Sequence, residues 1–402
     1  MLKVSFQTQN FRFLLLPFTF LLLLFCVLCA QSQAQVRGVW VRPLIGADAE
    51  TRKNPARGRE FVRRELQKIK AADLNTIYLE SFWDGYAIYP SKHAPTRPLN
   101  IEYGTAENGK GWDVLRVYTE EAAKLDLKIH AWMHVFHQWS TNLGGLEKSP
   151  IFAKHRGWAI LDNSGSPLVR SEAEGVNRDI FKVFLSPSNR AARKYLRNIV
   201  AELAANYPEL GGIQWDYIRY PLQTESASFD YNPQTLTQFK RETKLDARKL
   251  SPRTTPNEWK KWQDWKTGQV TETVRELGAV VRRIRPTWEI SAAVFPDINE
   301  NLRVKQQDWK SWAAAGDVDA LLPMLYSTDY GKVKNWARDF RRDASPKVKI
   351  YPAIFIGHFY NQTANKLDRR YLDIEREFDF DGFGLFAAQS LTDDLIEKIR
   401  KN

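Results

Sequence analysis

The sequence predicts an α/β fold, an eight-stranded (β/α)8 TIM barrel with long loops after strands three and four. Three observations carry this. Short strand-like runs alternate about eight times with helix-spaced runs, and no linker-like change of composition interrupts them. The stretch Gly211-Gly212-Ile213-Gln214-Trp215-Asp216-Tyr217-Ile218-Arg219-Tyr220-Pro221 opens with apolar side chains on both faces, as in a strand covered on both sides. The chain has 402 residues, 43% of them hydrophobic and 13% aromatic, and barrels of this class commonly run to roughly 250 residues or more. A doubly wound open sheet is the alternative architecture.

The elements follow in order. Residues 36–42 read as the first strand, and 59–72 as a helix with Phe61, Val62, Leu66 and Ile69 on one side. Residues 75–82 form the second strand, followed by an aromatic, turn-rich loop over 83–91. A helix over 112–125 leads to the third strand, 127–135, with His130, Trp132 and His134 on one face. About fifty irregular residues come next, a length that marks a functional loop. Ser188 then reads as the cap of a long helix with Ala192, Leu196, Ile199 and Leu203 spaced for burial. In the fourth strand Gly212, Gln214, Asp216 and Ile218 share one face, and Ile213, Trp215 and Tyr217 the other. After a second long loop over 222–259 come a helix to about 285, strand five at 288–295, a short helix at 307–312 and strand six at 318–326. Strands seven and eight fall at 348–356 and 380–388, before a last helix.

The first 34 residues stand apart. Lys3 and Arg12 precede an apolar run from Leu14 to Ala30, and Ser32 and Ala34 suit signal-peptidase cleavage after Ala34. The sequence therefore divides into a signal peptide, 1–34, and a single barrel domain, 35–402, exported to the periplasm or beyond. An uncleaved segment would instead give loose membrane association. Both cysteines, Cys26 and Cys29, lie in this segment, so the rest has no thiolate for a disulfide or a metal.

The formal charge is +12, but the basic residues are mixed with acids along the helices, as a solvated surface requires, and no nucleic-acid partner is implied. No P-loop, G-x-G-x-x-G or G-x-S-x-G motif is present, which argues against nucleotide binding and against serine hydrolysis of that type. His130 and His134 lie about 13 Å apart on a strand, too far to ligate one ion together. Neither a metal nor a cofactor is expected.

If the strands are parallel, their carboxyl ends bring polar groups to one face, where barrel enzymes carry chemistry. Asp216 is the first catalytic candidate, as nucleophile or charge stabiliser, since glycoside hydrolysis commonly pairs two carboxyl groups. For its partner the sequence offers Glu80, Asp297 and Asp329. Trp83, His130, Trp132, His134, Gln214, Arg219, Tyr220, Tyr326 and His358 are the expected sugar-binding set: indoles stack on the apolar face of a sugar, while polar groups fix its hydroxyls. Arg219 would hold Asp216 ionised or bind an acidic substrate, and Glu80 would face the barrel interior beside Arg42 or Arg219.

Several blocks occur together in one order: Arg37-Gly38-Val39-Trp40-Val41, Asn75-Thr76-Ile77-Tyr78, Tyr89-Pro90-Ser91, His130-Ala131-Trp132, Gly212-Ile213-Gln214-Trp215-Asp216-Tyr217-Ile218-Arg219-Tyr220-Pro221, Asp308-Trp309 and Pro323-Met324-Leu325-Tyr326. In these the chain resembles the bacterial glycosyl-hydrolase-like family ten. The resemblance implies an exported, barrel-shaped glycosidase of the cell envelope. A characterised branch, the divisome-localised glycosyl hydrolases, acts on peptidoglycan glycan strands stripped of stem peptides. Asp216 matches the family motif, whereas Leu185-Ser186-Pro187 stands where relatives often carry an acid. The expected function is thus hydrolysis of a cell-envelope polysaccharide, peptidoglycan glycan first. The alternatives are a non-catalytic glycan-binding protein and a metal-dependent polysaccharide deacetylase. Oligomeric state is left open.

Overall fold

Eight strands run parallel around one barrel: β1 (Val36–Val41), β2 (Thr76–Trp83), β3 (Lys128–His134), β4 (Gly212–Asp216), β5 (Glu289–Val294), β6 (Ala320–Pro323), β7 (Lys349–Ile350 with Ala353–Phe355) and β8 (Gly382–Phe386). Each is followed by a helix: α1 (Pro55–Ala71), α2 (Val114–Ala123), α3 (Arg190–Asn206), α4 (Pro256–Ile284), α5 (Trp309–Ala315), α6 (Tyr330–Asp343), α7 (Arg370–Glu377) and α8 (Asp393–Arg400). The structure, a computed structural model, describes residues 35–97, 112–168, 179, 181–223, 227–357 and 369–400, all but residue 35 within the unit Val36–Asn402. His358 and the segment 1–34 lie outside the described residues.

Closure rests on β1 and on the broken strand β7. β1 lies between β2 and β8, with Val39 opposite both Ile77 and Leu385. β7 is broken at Tyr351-Pro352, because proline has no N–H to give a ladder. Its first segment pairs with β6 and its second with β8, so the gap is spanned within one strand.

Alternation along the strands sorts the side chains into two layers. Ile77, Leu79, Ala131, Met133, Ile213 and Trp215 point outward and are buried with α1, α2 and α3 residues such as Leu66, Leu115 and Leu196. Trp40, Tyr78, Trp132, Leu322 and Tyr351 point inward and fill the barrel. The helices begin where local chemistry lets them: Asn54 caps α1 with Pro55 at its first position, and Asp113 caps α2. The cap of α3 is Asn189 and not Ser188 as the sequence suggested. Asn189 accepts from the N–H groups of Ala191 and Ala192, whereas the Ser188 hydroxyl is engaged with those of Ser186 and Thr235.

Two features of the long loops differ from the irregular chain expected. After β3, His137–Ser140 and Lys182–Phe184 form an antiparallel ribbon. After β4, Pro233–Thr243 forms a helix that packs Phe239 on Trp262.

The glycine that opens β4 is a steric requirement. A Cβ at Gly212 would come within 2.3 Å of the Glu289 carbonyl oxygen and 2.9 Å of the His130 ring. Gly212→Ala is therefore expected to lower stability by about 1–3 kcal/mol through overpacking, read as a lower denaturant midpoint. An unchanged midpoint would contradict this packing.

Candidate functional site

The carboxyl ends of β2, β3 and β4 place two carboxyl groups beside one strand. Glu80 on β2 registers with Trp132 on β3, and His134 on β3 with Asp216 on β4. Trp132 and His134 are two residues apart and so share the inner face, their rings 5.2 Å apart between centroids. Trp132 Nε1 donates to Asp216 Oδ2 at 3.0 Å, while His134 Nε2 lies 3.2 Å from Glu80 Oε1. Neighbouring rings of a single strand thus lie against both carboxyl groups, Trp132 by a hydrogen bond and His134 by close approach.

Glu80 is buried. Burial raises its pKa, but His134, Arg42 and Arg97 outweigh that and hold the carboxyl below its ordinary value. Arg42 Nε stands 3.9 Å from Glu80 Oε2, one of the two partners the sequence offered for it. Asp216 is only partly buried. Its Oδ1 accepts the N–H of Tyr217 at 2.6 Å.

Tyr217 departs from the expected alternation. Its φ of +49° is in the left-handed region, a conformation of order 1–3 kcal/mol above the extended one. The chain turns there, and the phenol lies over His134 and His137, at 4.7 and 4.9 Å between ring centroids, instead of following Ile213 and Trp215 outward.

Beside Glu80 opens a cavity of about 260 Å³ whose walls include Arg42, Trp83, Asp84, Arg97, His134, His137, Ser140, Lys182 and Tyr217. The β3 ribbon supplies His137, Ser140 and Lys182. His137 is pushed down to about 3, first by burial, and is neutral at pH 7. Ser140 Oγ donates to Asp84 Oδ1 at 3.0 Å. Asp216 is not itself a wall of this cavity; Tyr217 next to it is. On its other side Trp132 meets Phe386 edge-on, and Phe386, Tyr326 and Phe355 form an aromatic group with centroids 5.5–5.9 Å apart.

The remaining sequence candidates fall elsewhere. Asp297 is exposed and caps a short helix by accepting from Glu300 N–H, and Asp329 caps α6 by accepting from Lys332 N–H. Each carboxyl accepts one of the orphan donors of a helix start. His130 lies toward the amino end of β3, against Tyr78 and 4.0 Å from Glu289 Oε1, with burial lowering its pKa. It belongs to the layer beneath the site. Gln214 is also inside the barrel, its Oε1 accepting from Trp40 Nε1 at 2.6 Å. Trp83 is at the cavity and Tyr326 in the aromatic group.

Arg219 does not pair with Asp216. It forms a bidentate pair with Asp179, at 2.8 and 3.0 Å. Burial disfavours both charges, yet Arg219 holds the Asp179 carboxyl well below the usual range. Tyr220 is fully buried and donates to Asp230 Oδ2 at 2.7 Å. Asp230 also accepts from Ser186, the residue standing where the resemblance expects an acid. Arg219 therefore ties the loop after β4 to the loop after β3, and Tyr220 braces the loop after β4 within itself.

Sequence reasoning missed Asp84, Arg97, Ser140 and Lys182. For Asp84 a signal existed: Asp84-Gly85 between Trp83 and Tyr86 is the pair favoured in a two-residue hairpin turn with positive φ at both positions. The chain does this, with φ +50° and +77°, as Tyr86–Ala87 folds back on β2. Arg97 and Lys182 arrive by long-range pairing and carry no local signal.

Residues 35–373 match the family described as Glycosyl hydrolase-like 10. The chain is 21% identical over 375 residues to Glycosyl hydrolase YngK of Bacillus subtilis (strain 168), covering 86% of this chain but only 64% of YngK. It is 22% identical over 365 residues to Glycosyl hydrolase DigH of Escherichia coli (strain K12), covering 81% of this chain and 74% of DigH. Among solved structures it is similar to the catalytic domain of β-amylase from Paenibacillus polymyxa, with a TM-score of 0.59 at 14% identity over 92% of this chain and 98% of that one. The β-galactosidase of Rahnella sp. R3 gives 0.58 at 12% identity, over 89% and 51%. At such identities these likenesses establish the barrel fold. The family match, which runs from the start of β1 into α7, establishes more: this chain belongs to the glycosyl hydrolase-like 10 family.

Proposed function

We propose that this protein is an exported glycosidase that cleaves a cell-envelope polysaccharide, peptidoglycan glycan first. The observation that carries the reading is the pair Glu80 and Asp216, held by His134 and Trp132 of one strand at the carboxyl face of the barrel. Family membership and the names of YngK and DigH support it, and the N-terminal segment supports export.

Glycoside hydrolysis asks one carboxyl group to be ionised and another to give the leaving oxygen a proton. The surroundings of Glu80 suit the ionised role, as nucleophile, base or stabiliser of an oxocarbenium-like transition state. Asp216, partly exposed, takes the proton-donating role, its proton carried on a lone pair that the Trp132 and Tyr217 N–H groups leave free. This exchanges the role that the sequence alone gave Asp216. The aromatic group beyond Trp132 offers the stacking surface.

Incubating purified residues 35–402 with peptidoglycan glycan freed of its stem peptides, and following fragments by mass spectrometry, tests this. New reducing ends are expected. Tight binding with no fragments would favour the glycan-binding alternative, and release of acetate without chain cleavage the deacetylase.

A further inference from the structure

We propose that the cavity beside Glu80 is an anion subsite that takes the carboxylate of an acidic sugar residue. The proposal rests on the glycosidase reading of the same cleft and names the class of glycan it takes. Four basic side chains line the cavity, Arg42, Arg52, Arg97 and Lys182, against two acidic ones, Glu80 and Asp84. A partly enclosed space with that excess attracts an anion more strongly than an open surface does.

Arg97 is the centre of the site. Its guanidinium stacks 4.1 Å above the Trp83 ring, with Tyr86 on another side at 5.7 Å. The plane is thereby fixed before a ligand arrives. Its Nη1 is buried and, among the described residues, has no acceptor within hydrogen-bond distance; Asp84 Oδ2 is 3.7 Å away. Arg42 Nε is in the same condition, 3.9 Å from Glu80. Buried guanidinium N–H groups without acceptors are costly unless something supplies the oxygens. A carboxylate matches this geometry, since its two oxygens meet a fixed planar fork. Lys182, from the β3 ribbon, adds a charge on another wall, shared with Asp179 at 3.7 Å.

Carboxylates on a glycan come either from a lactyl ether, as on muramic acid residues once peptides are removed, or from a hexuronic acid. Calorimetric titration of residues 35–402 separates the two sources. The probes are a peptide-free peptidoglycan tetrasaccharide, a hexuronate tetrasaccharide, and the same two compounds with each carboxyl reduced to an alcohol. The wild-type protein is expected to bind at least one carboxylated probe about tenfold or more tighter than its reduced twin. Which probe shows the preference names the source. Arg97→Gln should bring that ratio close to one, and Arg97→Lys, which keeps charge but not the fork, should leave it intermediate. Asp84→Asn, which removes a competing acid, should widen it. Equal wild-type affinity for carboxylated and reduced probes overturns the subsite, whatever the variants do. Fragment release is scored separately: a carboxylate preference without cleavage sinks the glycosidase reading alone, and cleavage without a preference sinks the subsite alone.

Discussion

Asp216→Asn is expected to lower kcat/KM on peptide-free glycan about a thousandfold or more, with a melting temperature close to that of the wild type. General acid catalysis alone contributes roughly 10²–10⁴-fold. The side chain is partly exposed, and the amide oxygen can keep one of the two N–H bonds, from Trp132 or from Tyr217, so the fold gives up a single hydrogen bond at a site open to water. The assignment also predicts a pattern. Aryl glycosides with good leaving groups need little protonation, so Asp216→Asn should spare them while Glu80→Gln abolishes their turnover as well. Because Glu80 is held below its ordinary pKa by His134, Arg42 and Arg97 against the opposing effect of burial, it stays ionised as pH falls through the usual glutamate value of 4.5. The acidic limb of the wild-type pH profile should accordingly lie below that pH. A folded Asp216→Asn variant with undiminished activity would remove Asp216 from the chemistry.

The second large effect is on stability. Asp179→Ala is expected to cost about 3–5 kcal/mol in denaturant unfolding, because it strands a buried guanidinium. Arg219 sits among Phe184, Tyr217 and Phe295, 5.0–5.7 Å from their ring centroids, and Asp179 is its bidentate partner. Asp179 also faces Lys182 and accepts the N–H of Leu222 at 3.1 Å. Lys305, packed on Phe295, is already pushed down to about 7, first by burial and then by Arg219. Without Asp179 these cations repel one another in a dry space. Replacing both partners with apolar residues, Asp179→Leu with Arg219→Met, should recover much of the loss, since replacing a whole buried pair is often neutral. A loss under about 1 kcal/mol for Asp179→Ala would show that the pair does not brace the β3 and β4 loops.

Much of the barrel was legible because each strand advertises two covered faces or a strict alternation. Ile77 and Leu79 against Tyr78 and Glu80, or Ile213 and Trp215 against Gln214 and Asp216, set which side chains enter the barrel. The break in β7 was signalled by Pro352 but is resolved only by its different neighbours on the two sides. In the site, residues carried by strands could be placed by periodicity, which is why Glu80, Trp132, His134 and Asp216 were all named. Periodicity could not distinguish the amino end of a strand from its carboxyl end without register, so His130 and Gln214 were grouped with them. Proximity in sequence misled for Arg219: three residues after Asp216 it has turned away to an acid forty positions earlier in the chain. The carboxylates of Asp297 and Asp329, candidates by their position after strands, accept backbone N–H groups at helix starts, a use that short polar side chains take wherever a helix begins.

The most direct test of the central claim is a crystal structure of the Asp216→Asn variant with a peptide-free glycan oligosaccharide bound. One glycosidic bond is expected between the Glu80 carboxylate and the side-chain amide introduced at position 216, with a sugar ring against the aromatic group beyond Trp132. An oligosaccharide bound with its linkage out of reach of either side chain would contradict the assignment of Glu80 and Asp216 as the catalytic pair.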